Sequence, residues 1–266
     1  MKFARVKLVT KTRHFENETL YWTKAASVLG LPQLQMVDSE VPIPPAKAKA
    51  DLIALLADNL DDYSPPSDDK EMIMDGWRRL CERYTPIFFE KSPHHLPQWS
   101  VLELILECRK ELADIDFLFI GLVRNPMDTI YSQFTRWAAR PEPLQQQWLV
   151  AYRNLVRLKA LLQEQLVIIR YEDMVSSLGC LQPVFDFCGV NRDEIDPNYL
   201  HRASLAKWKS DRFFSFSLAE EVVALAQTYG YRKEELTNSR ALFWPVYREL
   251  VRFAKKSKKS VLKVAR

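Results

Sequence analysis

The sequence predicts an α/β fold in which a parallel sheet is flanked by helices. Two observations carry that reading. Short runs of β-branched and aromatic residues, nearly free of polar side chains, alternate along the chain with longer segments whose apolar residues recur every three or four positions. The order β-α-β-α-β then calls for parallel strands joined by right-handed crossovers, and continuous apolar strands call for a sheet covered on both faces.

The strands expected are FARVKLV at 3–9, IFFE at 87–90, FLFIGLV at 117–123 and LVIIR at 166–170. Helices are expected over 46–60 (Leu52, Leu55, Leu56, Leu60), 72–84 (Met72, Trp77, Leu80, Tyr84), 99–112 (Leu102, Ile105, Leu106) and 142–163 (Trp148, Tyr152, Leu155, Leu158, Leu162), each with one apolar stripe for packing on a sheet. Between 41 and 69, VPIPP and DNLDDYSPPSDDK break the rhythm with prolines and acids, which reads as surface loops around a short helix. Beyond residue 190 the pattern is mostly helical.

The 266 residues are 47% hydrophobic and 27% charged, ordinary for a globular protein, and no Gly/Ser-rich linker or repeat divides them, so one domain over 1–266 is expected. Six of the positive charges behind the net +4 sit in the closing KKSKKSVLKVAR. This basic tail, 255–266, is expected to be a frayed, solvated end, although such a charge run also suits nucleic acid or an anionic membrane. Cys81, Cys108, Cys180 and Cys188 form no C-x-x-C pair and no histidine stands at zinc-finger spacing, so no metal site is expected and a reducing, cytoplasmic setting is. No apolar run approaches the roughly 20 residues that span a bilayer.

FIGLVRNPMDTIYSQFTRW, residues 119–137, concentrates the chemistry. Asn125 is a good N-cap, Pro126 falls at N1, and Asp128 at N3 meets the positive end of the dipole, so a helix starts directly after a strand. Free backbone N–H groups and the Arg124 guanidinium would then stand at the carboxyl end of a parallel strand, where open α/β sheets bind ligands. Ser132 lies on the same helix side. Arginine with a hydroxyl suits a dianionic phosphate; equally, Arg124 can pair with Asp128 or Glu172 and Ser132 can face a neighbour.

R-x-P-x-D-x-x-x-S, here Arg124, Pro126, Asp128 and Ser132, resembles the 3′-phosphate-binding segment of sulfotransferases that use 3′-phosphoadenosine-5′-phosphosulfate (PAPS). IFFEKSPHHLP is similar to the family's strand ending in Lys-Ser or Lys-Thr, and VIIRYEDMVSS with FDFCGV is similar to its R-Y-E-D strand and helix. The resemblance covers roughly residues 85–190. It implies a P-loop-like nucleotide-binding fold, transfer of a sulfuryl group from PAPS to a hydroxyl or amine of a small-molecule or carbohydrate acceptor by in-line displacement, and no need for a metal or nucleic acid. Arg124 and Ser132 would hold the cofactor's 3′-phosphate, Tyr171 would lie near the adenine and Lys91 would reach the phosphosulfate. The family's histidine in K-[ST]-H-L-P corresponds to Lys91-Ser92-Pro93-His94-His95-Leu96-Pro97, two residues longer, so His94 and His95 are both candidates for the catalytic base, with Glu90 a further one. Lys207 or Lys209, in SLAKWKSDRFF, could stand near the 3′-phosphate or at a surface helix end.

Family members open with a strand and a Gly- and Ser/Thr-containing loop that cradles the 5′-phosphosulfate. The first glycine here is Gly30, followed by Leu-Pro-Gln, and TKTRHFENETLYW at 10–22 is similar to the stretch after that loop and its helix. Two expectations result: the chain lacks its natural beginning and with it the first strand and loop, or it is a divergent, inactive nucleotide-binding or interaction protein. A P-loop kinase is excluded by the absence of G-x-x-x-x-G-K-[ST]. Trp22, Trp77, Trp99 and Trp137 are candidates for either an acceptor site or the core.

Overall fold

The computed structural model describes residues 18–37, 39–192, 195, 205–238 and 242–264. The strand expected at 3–9 lies outside them. In chain order the main elements are α1 (Tyr21–Val28), α2 (Pro45–Asn59), α3 (Asp69–Arg83), α4 (Trp99–Glu111), β1 (Phe119–Val123), α5 (Pro126–Trp137), α6 (Pro141–Leu162), β2 (Leu166–Arg170), α7 (Tyr171–Met174), α8 (Gln182–Cys188), α9 (Lys207–Ser210), α10 (Glu220–Thr228) and α11 (Trp244–Val264). The chain divides into two compact units, one of residues 1–119 with 184–196, the other of 120–183 with 197–266.

In the first unit, α1 to α4 enclose a core built on aromatic rings. Asp68 caps α3 by accepting the Glu71 N–H, and Asp69 and Glu71 meet the positive end of its dipole. The apolar stripe Met72, Ile73, Trp77 and Leu80 then turns inward against Tyr21, Trp22, Leu52 and Leu56. Trp77 lies 4.8 Å from the Trp22 ring and 5.0 Å from that of Tyr21, whose hydroxyl donates to the Ile73 carbonyl at 2.6 Å. Gly76 permits this approach, since a Cβ there would stand 2.7 Å from a Leu56 methyl.

Two local expectations fail in this unit. Ile87–Glu90 is not a strand: a short apolar run fits a buried strand and a packed irregular segment equally well, and Phe88 here packs on Trp77 and stacks on Tyr84. In the stretch 41–69 the helix expected over 46–60 stands as α2, but the flanking surface loop does not: Val41 and Ile43 are buried with Met36 and Ala48 in a small core of their own. The prolines on either side end regular structure there without bringing the side chains between them into solvent.

Among the described residues the sheet consists of two parallel strands, β1 and β2, flanked by helices and connected through α5 and α6 of the second unit. β1 turns Gly121 and Val123 inward, and Gly121 is there because α6 comes close: an added Cβ would lie 2.5 Å from a Leu155 methyl. Ile120 and Leu122 on the other face stay partly exposed, so this strand alternates although its sequence is continuously apolar. Phe134 of α5, Phe214, Trp244 and Tyr247 form an aromatic cluster that seats the start of α11. The basic tail expected to fray is helical to Val264, as a continuation of α11.

Gly121→Ala is expected to force Leu155 out of place and to destabilise the fold by about 1–3 kcal/mol, read as a lower urea midpoint at unchanged slope. An unchanged midpoint would contradict the seating of β1 on α6.

Candidate functional site

Where β1 ends, the main chain is held from both sides. The Trp148 indole N–H donates to the Arg124 carbonyl at 3.0 Å, and the Tyr152 hydroxyl accepts the Arg124 N–H at 3.3 Å while donating to the Leu122 carbonyl at 3.2 Å. Both residues stand one turn apart on the buried stripe of α6. From the end of β2, Glu172 accepts the Asn125 N–H at 3.0 Å on one oxygen and the Tyr231 hydroxyl at 2.6 Å on the other. Asn125 caps α5 through Oδ1, which accepts the Met127 N–H at 2.8 Å, and its amide donates to the Glu235 carbonyl at 2.8 Å. Thus, of the backbone N–H groups expected at this strand end, those of Asn125 and Met127 are taken up by the protein's own carboxylate and amide oxygens. Side chains, not these N–H groups, define what the site offers.

Those side chains line a cavity of about 360 Å³ that includes Arg124, Ser132 and Tyr171 together with Thr129, Arg136 and Trp137. The Arg124 guanidinium lies over the Tyr171 ring, 4.7 Å from its centroid, and the Arg136 guanidinium over Trp137 at 4.8 Å. Two arginines, two hydroxyls and two aromatic faces therefore converge in one concave place. The sequence had nominated Arg124, Ser132 and Tyr171; Arg136 escaped notice although it follows Ser132 by one helical turn.

Asp128 is not directed at this ligand-facing set. It is buried, and the Ala206 N–H donates to its carboxylate, so the first turn of α5 anchors the segment leading into α9. Burial pushes its carboxyl up to about 6, against the opposing pull of the Arg124 charge, the Ala206 N–H and the Lys209 charge. Lys209 lies over the Trp208 ring at 5.2 Å, and Trp208 is buried.

Lys207, at the start of α9 in the same unit, is exposed, and the remaining nominated residues belong to the first unit. Lys91 is ion-paired with Glu18. Glu90 accepts hydrogen bonds from the hydroxyls of Thr19, at 2.8 Å, and Ser92, and its Oε2 lies 3.7 Å from Nδ1 of His95. The Ser92 hydroxyl in turn accepts the Leu20 N–H at 3.1 Å. His95 is buried with Nε2 enclosed; His94 is half-buried with Nδ1 enclosed, and burial lowers the pKa of both rings. Both imidazoles are therefore neutral at neutral pH. Of the tryptophans, Trp22 and Trp77 are core, Trp99 donates to Glu103, and Trp137 alone of the four lines the cavity.

The profile of the Sulfotransferase family matches residues 57–194, a span that takes in Lys91, the histidine pair, the Arg124 segment and Tyr171. The chain belongs to the sulfotransferase family. No curated protein matches its sequence. Among solved structures it is similar to the Sulfotransferase Domain from the Curacin Biosynthetic Pathway, at 18% identity and a TM-score of 0.50, over 81% of this chain and 94% of that one. At that identity the likeness speaks for the fold, the α/β sulfotransferase fold. No helix among the described residues is long and apolar enough to cross a membrane.

Because its carboxyl is held up near 6, Asp128 supports folding while protonated and loses that support as pH rises through about 6. The wild-type protein is expected to lose about 1 kcal/mol more stability between pH 5 and pH 8 than Asp128→Asn. Parallel pH profiles in urea titrations would show the carboxyl to be solvated.

Proposed function

We propose that the protein is a PAPS-dependent sulfotransferase whose Arg124 cavity holds the 3′-phosphate end of the nucleotide. The observation that carries this is the convergence of Arg124, Ser132 and Tyr171 on one cavity, with Arg136 as a second cation. The donor set fits the group: arginine offers a planar fork to phosphate oxygens, a serine hydroxyl completes the shell, and an aromatic face suits a purine. Bound PAPS supplies an activated sulfuryl group; the chain's own residues supply position and proton handling.

On the acceptor side, Nε2 of His94 is assigned to take the proton of the attacking hydroxyl or amine. Its ring is kept neutral by burial, and its other nitrogen is enclosed. His95, buried against Glu90, positions the loop and is the weaker candidate for base. Lys91, oriented by Glu18, provides a cation for negative charge that develops on the departing phosphate oxygen. In-line transfer by this means calls on charge stabilisation and positioning more than covalent chemistry. The acceptor is a hydroxyl or amine of a small molecule or carbohydrate, and the four free thiols fit a reducing, cytoplasmic setting.

Calorimetric titration of the chain with 3′-phosphoadenosine-5′-phosphate, beside ATP, tests the reading directly. Selective binding is expected, weakened by about tenfold to a hundredfold in Arg124→Ala, the range for a lost charge-assisted pair; equal affinity for the two nucleotides would sink it. In turnover assays His94→Ala is expected to lose about 10²–10⁴-fold in rate. Wild-type activity should hold as pH falls to the ordinary imidazole value of about 6.5 and drop only below it, because burial lowers the His94 pKa. Retained activity in His94→Ala moves the base to another residue.

A further inference from the structure

α11 carries two surfaces that the sulfotransferase site does not use. Its inward positions, Trp244 and Tyr247, pack into the aromatic cluster with Phe134 and Phe214, and the Tyr247 hydroxyl donates to Asp211 at 2.9 Å. On a different side, Phe243, Val246, Leu250 and Phe253 recur at spacings of three and four and are between 60% and 72% exposed. Val246, Leu250 and Phe253 with Pro245 and Glu249 form a shallow groove along this side. The same register continues through positions 257, 261 and 264, occupied by serine, valine and valine. Glu249 is the sole acid in Trp244–Val264, and its charge is met by Arg248 and Arg252. The last turns then add Lys255, Lys256, Lys258, Lys259 and Lys263, at register positions away from the apolar stripe.

We propose that α11 lies along an anionic lipid surface, with its Phe243–Phe253 stripe in the boundary between headgroups and acyl chains. The charge pattern selects this occupant. A second copy pairing along the stripe would bring two lysine-rich segments into one neighbourhood with one glutamate each to offset them. A nucleic acid would satisfy the lysines and leave Phe243, Val246, Leu250 and Phe253 in water. Only a surface that presents hydrocarbon and negative charge side by side matches both faces of the helix. Nothing in the helix suits it to span: its lysines forbid burial across a hydrocarbon core. The inference stands independently of the nucleotide site.

The test uses the full chain and co-sedimentation with vesicles of phosphatidylcholine alone or with about one-third phosphatidylserine. Partitioning onto the anionic vesicles is expected to be at least about tenfold stronger and to weaken as NaCl is raised. The double substitution Leu250→Asp with Phe253→Asp, at exposed positions where circular dichroism should show unchanged helix content, is expected to abolish it. The proposal is overturned by equal binding to the two lipids, or by binding that survives the double substitution. It is equally overturned by a dimer mass in light scattering that the substitution dissolves, or by tighter binding to duplex DNA than to the vesicles.

Discussion

The strand end at Arg124 is where an irregular piece of backbone must be buried, and the hydrogen bonds that satisfy it organise the whole second unit. A chain leaving a strand for a helix exposes main-chain groups on both sides of the junction, and buried groups of this kind cost free energy unless paired. Here the Trp148 indole and Tyr152 phenol pair the groups of Leu122 and Arg124, and the Glu172 carboxylate pairs that of Asn125. The consequence is directional. With its main chain clamped between α6 and the end of β2, Arg124 can send its side chain only along the cavity wall, over Tyr171. The stiffness of the site comes from Trp148, Tyr152 and Glu172, which hold the main chain from either side.

That clamp also explains the role of the R-Y-E-D run. Tyr171 presents its ring to the cavity, whereas Glu172, the next residue, turns the other way and joins Asn125 to Tyr231. Tyr231 is further fixed by the Arg170 guanidinium 4.3 Å over its ring, and Arg170 itself donates to the Gly230 carbonyl at 3.3 Å. Three consecutive residues of the run thus tie the carboxyl end of β2 to the tip of β1 and to the segment at 230–235. The sheet is small, and these links hold strand ends that further neighbouring strands would otherwise help to fix.

How much of this was legible in the sequence depended on whether the determining partner was local. The helices were, because amphipathic period and caps are local: Asn125, Pro126 and the start of α5 stand where the sequence puts them. A spaced motif named Arg124, Ser132 and Tyr171, and these three line one cavity. The fate of the α5 amides was not legible, since Glu172 lies 47 positions from Asn125 and no pattern links the two. Asp128 stands in the first turn of α5 as its position announces, but its burial and the hydrogen bond it accepts from Ala206, far along the chain, leave no local signal. Residues 87–90 misled, because apolar content without period does not distinguish a strand from an irregular packed segment. Val41 and Ile43 were hidden by the prolines beside them, which announce a turn and say nothing of burial.

Burial moves one titratable group in each unit, and it moves them in opposite directions. Below about 6 Asp128 is neutral, and the charge lining the cavity is that of Arg124 and Arg136. Above about 6 the Asp128 carboxylate offsets part of that charge. On His94 burial acts in the other direction, lowering the ring's pKa from the usual 6.5 and so favouring the neutral imidazole. In each case the decisive agent is the same: desolvation by burial, acting on a carboxyl in one unit and an imidazole in the other.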